Sequence, residues 1–239
     1  MISFLRDPFK IVVLGAGRGG TSLVGSLLNS HPKLSLALEL YANDFLVGVS
    51  KQAQAASAPE RLDLFIKNCH HSAKVANGTW GNKITTEQLD FLLSDDQAEL
   101  DREWIYKKLL ATKKVIYVVR DGRTCVHSKM ERAKIDYPTA VARWKSSVAW
   151  LKFLQKQPNL SLYTLRFEEL LLKPEEELIG LCKFLDLPFA NSMLAGVSSD
   201  AMATEYRQNT VNAAKAKVPK KALAFTEDLR PELEYLDYL

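Results

Sequence analysis

Apolar positions along the chain change period repeatedly. KIVVLG (Lys10–Gly15) is an unbroken, β-branched apolar run that stops at a glycine, the pattern of a strand buried on both faces of a parallel sheet. TSLVGSLLNS (Thr21–Ser30) then places apolar residues at 23, 24, 27 and 28, which is a helical spacing. KLSLALEL (Lys33–Leu40) alternates and predicts a second strand. ERLDLFIKNC and TTEQLDFLL predict helices, the second with Thr85 or Thr86 as N-cap. KKVIYVVRDG (Lys113–Gly122) is the most strand-like segment and also ends in a polar turn, with a helix expected from about Cys125. PTAVARWKSSVAWLKFLQKQ predicts a long amphipathic helix whose start is marked by Pro138. LSLYTLRFEEL predicts a further strand, and PEEELIGLCKFLDL a helix with acidic residues in its first turn.

Strands alternating with helices predict an α/β fold, a parallel sheet flanked by helices on both faces. No repeat, low-complexity tract or long linker divides the 239 residues, so one domain is expected over 1–239. From Ser198 to Phe225 the periodicity fades into a basic loop before a last short helix.

Composition narrows the function classes. Hydrophobic residues are 47% and charged residues 25%, ordinary for a globular chain with a good core. The net charge of +4 and a pI near 8.8 suit a small polyanionic ligand and fall short of a nucleic-acid footprint. No apolar stretch approaches membrane-spanning length, and Arg6, Asp7 and Pro8 interrupt any signal-peptide core, so no membrane partner is expected. Cys69, Cys125 and Cys182 are sparse and form no C-x-x-C pair, which points to a reducing compartment, read as the cytoplasm, and away from a metal site. Oligomeric state is not legible.

The chemistry concentrates in GAGRGGTSL (Gly15–Leu23), where a strand passes through glycines into a helix. There, free N–H groups and the positive end of the helix dipole favour phosphate. Three ligands fit such a turn. The first six residues satisfy G-x-G-x-x-G, with Glu39 at about the distance of a ribose-binding acid, but Arg18 intrudes where small residues are usual in an NAD(P)-binding Rossmann turn. Eight residues nearly satisfy the nucleoside-triphosphate P-loop, but Thr21 replaces its lysine and no clear magnesium-binding aspartate follows, which weakens a kinase-like reading. In the third, the cation has moved to Arg18, with hydroxyls at Thr21 and Ser22.

That third pattern resembles the 5′-phosphosulfate loop of sulfotransferases, usually G-x-x-R-S-G-T-T. The resemblance implies a P-loop-like sulfotransferase fold and 3′-phosphoadenosine 5′-phosphosulfate (PAPS) as sulfuryl donor, with adenosine 3′,5′-bisphosphate (PAP) as product and no metal. It assigns Gly17, Arg18, Gly19, Gly20, Thr21 and Ser22 to the 5′ end of the donor. A second anion clamp is expected for the 3′-phosphate, and VVRDGRTCVHSKMER (Val118–Arg132) fits it. Arg120 ends a strand, where its guanidinium can grip phosphate in a fork, and Ser128 and Arg132 share one helical face. The family's 3′-phosphate motif has this arginine and a serine eight residues on, which map onto Arg120 and Ser128.

The resemblance is strongest to tyrosylprotein-type and related bacterial sulfotransferases and covers about residues 10–190. NSHPKLSLALE carries an acid 21 residues after the loop arginine, which in those enzymes is the general base and here is Glu39. WGNKITT (Trp80–Thr86) resembles their W-G-x-K-x-P stretch, whose lysine contacts the donor near the transferred group and here is Lys83. LRFEELLLKPEEELIGLCKFLDLPF resembles their closing strand–helix segment. The implied catalytic set is Glu39, Arg18 and Lys83. The chain departs from the family at Gly19 (serine), at Ile84-Thr85 (x-Pro) and at Phe167 (often tyrosine). The loop NTVNAAKAKVPKKA lacks the family's tryptophan, and one of Lys215, Lys217, Lys220 or Lys221 is a candidate to cover the nucleotide. The acceptor is left open among small-molecule, carbohydrate and peptide hydroxyls. Two alternatives stay open: Glu39 as a strand-end carboxylate paired with Arg18, and a catalytically silent PAP-binding module. His70-His71, His127, His31 and the Trp144, Trp150, Phe153 face are read as structural.

Overall fold

A computed structural model describes residues 7–94, 100–198 and 213–239. Five strands make one sheet in the order β2-β3-β1-β4-β5, every neighbouring pair parallel: β1 Phe9–Gly15, β2 Leu34–Leu38, β3 Thr79–Lys83, β4 Lys114–Val119 and β5 Ser161–Arg166. The helices that matter to the site are α1 (Thr21–Asn29), α2 (Ala58–Val75), α3 (Thr86–Leu93), α4 (Gly122–Ala133), α5 (Tyr137–Gln155), α6 (Phe167–Leu172), α7 (Pro174–Phe184) and α8 (Thr226–Tyr235).

The strands alternate between two cores. Val12, Leu14, Val115, Tyr117 and Val119 pack with α2, α3, α5 and α8 on one face. Ile11, Val13, Ile116 and Val118 pack with α1, α6 and α7 on the other. Both faces are covered, which is why β1 and β4 read as continuous apolar runs rather than alternating ones. Trp144 and Trp150 lie in the first core, as their helical spacing implied. His31 is also structural: its Nε2 meets the Pro188 carbonyl at 2.9 Å, and its Nδ1 accepts the Lys33 N–H at 3.1 Å.

Three element assignments change. Residues 79–83 form a strand that the apolar pattern did not predict, inserted between β1 and β2. The strand expected through FEEL stops at Arg166, and Phe167 opens α6. The helix expected near Cys125 begins at Gly122, because the Asp121 carboxylate caps it by accepting the Arg123 N–H at 2.9 Å.

In a parallel sheet every strand ends at the same edge. Arg18, Glu39, Lys83 and Arg120 follow or close β1, β2, β3 and β4, so topology alone gathers them. The chain leaves β1 for β2, returns to β3, and then crosses to β4 on the far side of β1. That change of direction opens a crevice at the carboxyl edge.

Candidate active site

The glycine-rich loop is built by its backbone. After Gly15, the Gly19 N–H donates to the Ala16 carbonyl at 2.8 Å, and Arg18 and Gly20 take left-handed φ values of 65° and 94°. A Cβ on Gly20 would stand 2.1 Å from the Phe167 ring, so glycine is required there on two counts. The first bond of α1 runs from Val24 N–H to the Gly20 carbonyl at 3.2 Å, so the amides before it have no partner within the helix and lie at its positive end. Gly17, Arg18, Gly20, Thr21 and Ser22 line a cavity of about 820 Å³.

The clamp meets this loop directly. Arg120 Nη1 donates to the Arg18 carbonyl at 2.8 Å, and Arg18 Nε donates to Ser128 Oγ at 3.3 Å. Thus residues about a hundred positions apart form one wall. The Arg120 guanidinium lies 4.7 Å over the Phe167 ring, and the Trp144 indole N–H donates to its carbonyl at 3.3 Å. Burial pulls the Arg120 pKa below its ordinary value, with the Arg18 charge adding to the effect. Arg132 and Lys215 line the same wall, and Lys215 is lowered by burial first and then by Arg132 and Arg120. Arg120 Nε is buried without a hydrogen-bond partner among the described residues. A buried orphan donor beside several cations and free helix amides is what a multiply charged anion satisfies, so these residues fit the donor nucleotide.

At the other end of the cavity, Glu39 follows β2 with φ 57° and donates its N–H to the Lys83 carbonyl at 2.7 Å. Its carboxylate is ion-paired with Lys83 through Oε1 and accepts a bond from Gln88 Nε2 at 2.9 Å through Oε2. Gln88 is itself fixed, since its Oε1 accepts the Thr85 N–H in a capping box, and its Nε2 also reaches Asn43 Oδ1 at 2.9 Å. Lys83 is 2% exposed, while the Glu39 side chain keeps a third of its surface open. The partner of Glu39 is therefore Lys83, not the Arg18 considered from sequence.

Every sequence-assigned site residue except Gly19 lines this one cavity; Gly19 instead makes the turn, and a Cβ there would stand 2.6 Å from the Ala16 carbonyl oxygen. His70 is remote, its Nε2 3.0 Å from Asp7 Oδ1. Of the C-terminal lysines, Lys215 and Lys217 line the cavity, and Asn209–Asn212 of that loop fall outside the described residues. No metal-binding group of three or more ligands occurs among the described residues. Sequence reasoning missed Gln88, Glu87 and Lys129, which line the cavity, and set aside His127, which lines it beside Ser128. Only the capping-box spacing of Thr85 and Gln88 carried a signal, and it told of the helix start rather than of the contact with Glu39.

A model of the sulfotransferase family matches residues 8–191. The chain belongs to the sulfotransferase family. This sulfotransferase chain is 23% identical over 206 residues to protein-tyrosine sulfotransferase 1 of Danio rerio, covering 79% of this chain and 56% of that protein. It is 24% identical over 210 residues to protein-tyrosine sulfotransferase 1 of Homo sapiens, covering 80% and 55%. The chain thus spans about half the length of these relatives. The sulfotransferase domain of the curacin biosynthetic pathway shares the fold, with a TM-score of 0.61 at 18% identity over 93% of this chain and 98% of that one.

Proposed function

We propose that this sulfotransferase moves a sulfuryl group from PAPS to an acceptor hydroxyl, with Glu39 as general base. One observation carries the reading. Two anion sites, far apart in sequence, share a wall through Arg18, Ser128 and Arg120, and open on the cavity that holds the Glu39–Lys83 pair.

The loop amides and Arg18 hold the 5′ end of the donor. Arg120, Ser128 and Arg132 hold the 3′-phosphate, a remote contact that orients the reacting end. The acceptor oxygen attacks sulfur, forming an O–S bond as the bond from sulfur to the 5′-phosphate oxygen breaks. The acceptor proton passes to Glu39, and the electron pair leaves with the phosphate of PAP. Arg18, Lys83 and the helix amides meet the charge that develops there. Among acceptor classes, the names of the tyrosine-specific relatives favour a peptide phenol.

Calorimetric titration with PAP, ATP plus magnesium, and NAD tests the donor class. Tight binding of PAP alone supports the proposal. Preference for ATP or NAD refutes it.

A further inference from the structure

The first turn of α3 carries a second polar side chain that the proposed reaction leaves unused. Glu87 is 8% exposed and is ion-paired through Oε1 with Lys129 of α4, itself 2% exposed. Its other oxygen, Oε2, accepts the Gly17 N–H at 2.8 Å. Both residues line the donor cavity. One carboxylate therefore joins three elements: the phosphate loop, α3 and the clamp helix. The carbonyls of the same loop are tied to the clamp as well, Gly17 to the Cys125 thiol at 3.4 Å and Arg18 to Arg120.

Burying two charges costs desolvation that an apolar pair of similar volume avoids, so stability alone is a weak reason for an ion pair here. Its place beside the phosphate loop supplies a stronger one. We propose that Glu87 and Lys129 are positioning residues for the donor: Glu87 fixes the loop against the clamp helix through the Gly17 N–H, and Lys129 cancels a carboxylate that would otherwise repel the bound phosphate. This rests on reading the cavity as the site of a phosphate-bearing donor.

The proposal predicts an asymmetry that a purely structural pair would not show. Glu87→Gln keeps an oxygen for the Gly17 N–H and leaves the Lys129 cation near the anion. Lys129→Met leaves a buried carboxylate facing it. PAP and ATP plus magnesium are titrated in parallel by calorimetry at pH 8 against the wild-type chain, both single variants and the double variant, with thermal melts to confirm folding. Lys129→Met is expected to weaken PAP binding by about 10–100-fold, the size of like-charge repulsion across a few ångströms of partly buried protein. Glu87→Gln/Lys129→Met, which leaves no net charge, is expected to stay within about 3-fold of wild type, while Glu87→Gln, which leaves the Lys129 cation uncompensated, is expected to bind PAP at least as tightly as wild type. Equal losses in the two single variants, or no loss in Lys129→Met, overturn the proposal. If Lys129→Met does not fold, Glu87→Leu replaces it and should weaken binding about 10-fold where Glu87→Gln does not, because the Gly17 N–H loses its acceptor. Equal affinities of those two variants overturn it likewise. A wild-type chain that binds ATP and not PAP refutes the donor assignment, and the asymmetry is then read on ATP. A chain that binds neither refutes both.

Discussion

Arg120→Ala separates the two proposed anion sites. Among the described residues the Arg120 guanidinium makes one hydrogen bond, from Nη1 to the Arg18 carbonyl at 2.8 Å, and its Nε is buried without a partner. A 3′-phosphate reached by two donors of this fork gains two charge-assisted hydrogen bonds, about 4 kcal/mol together. The bond to the loop carbonyl contributes about 1 kcal/mol and acts on any ligand that uses the loop. PAP should therefore lose about 5 kcal/mol, roughly 10³- to 10⁴-fold, on Arg120→Ala. Adenosine 5′-phosphate, which lacks the 3′-phosphate, should lose only about 5-fold. Calorimetric titration of both nucleotides against both proteins gives the ratio directly. The free protein should tolerate the change, because it removes one of several crowded cations: Arg120 is depressed by burial and by Arg18, and Lys215 is depressed in part by Arg120. Equal weakening of the two nucleotides would refute the reasoning, since Arg120 would then act only by holding the loop.

Two further outcomes follow from the same geometry. Glu39→Gln, measured as sulfuryl transfer to a phenolic acceptor with PAP affinity as control, should lower turnover by about 10²–10⁴-fold and leave PAP binding nearly intact; unchanged turnover removes Glu39 from the chemistry. Glu168 is held above its ordinary value of 4.5 by burial, against the bonds it accepts from Tyr238 OH at 2.7 Å and Asp121 N–H at 3.1 Å. A carboxyl with a raised folded pKa contributes stability that is present below 4.5 and is lost as pH rises through the folded value. Glu168→Gln should therefore gain stability relative to wild type between pH 4 and pH 7 in urea melts, and a difference that does not change with pH contradicts the assignment.

What could be read from sequence was what local chemistry determines. The turn at Gly15–Ser22 works through backbone amides and a helix start, so its residue types announce it. Glu39 was placed by resemblance to the family's general-base position, 21 residues after the loop arginine, and the clamp by a strand end followed by a four-residue spacing. Residues 79–83 stayed hidden because Trp80-Gly81-Asn82-Lys83 offers no apolar run. Its place in the sheet is set by neighbours: a Cβ on Gly81 would stand 2.7 Å from both Ile11 and Leu36, and the Asn82 side chain is satisfied by the Leu40 N–H and carbonyl. Glu87 and Lys129 look like ordinary solvent-facing charges in a helical pattern. Only tertiary packing, which brings residues 42 positions apart together in the interior, reveals them as a buried pair.

The backbone at Arg18 and Glu39 supports the proposed roles from a different direction. Arg18 and Glu39 are both left-handed without being glycine, at φ 65° and 57°, a conformation disfavoured for residues with a Cβ. Glycine at either position would relieve the backbone but remove the side chain, and both side chains meet partners on other elements: Ser128 for Arg18, Lys83 and Gln88 for Glu39. The strained turns are held from both sides. The Gly19 N–H and Arg120 Nη1 fasten the loop around Arg18, while the Glu39 N–H bonds to the Lys83 carbonyl and the Glu39 carbonyl accepts the Ala42 N–H at 3.0 Å. Strain kept at two positions that converge on one cavity, and held there by register and side-chain bonds, is explained by the need for an arginine and a carboxylate at those points.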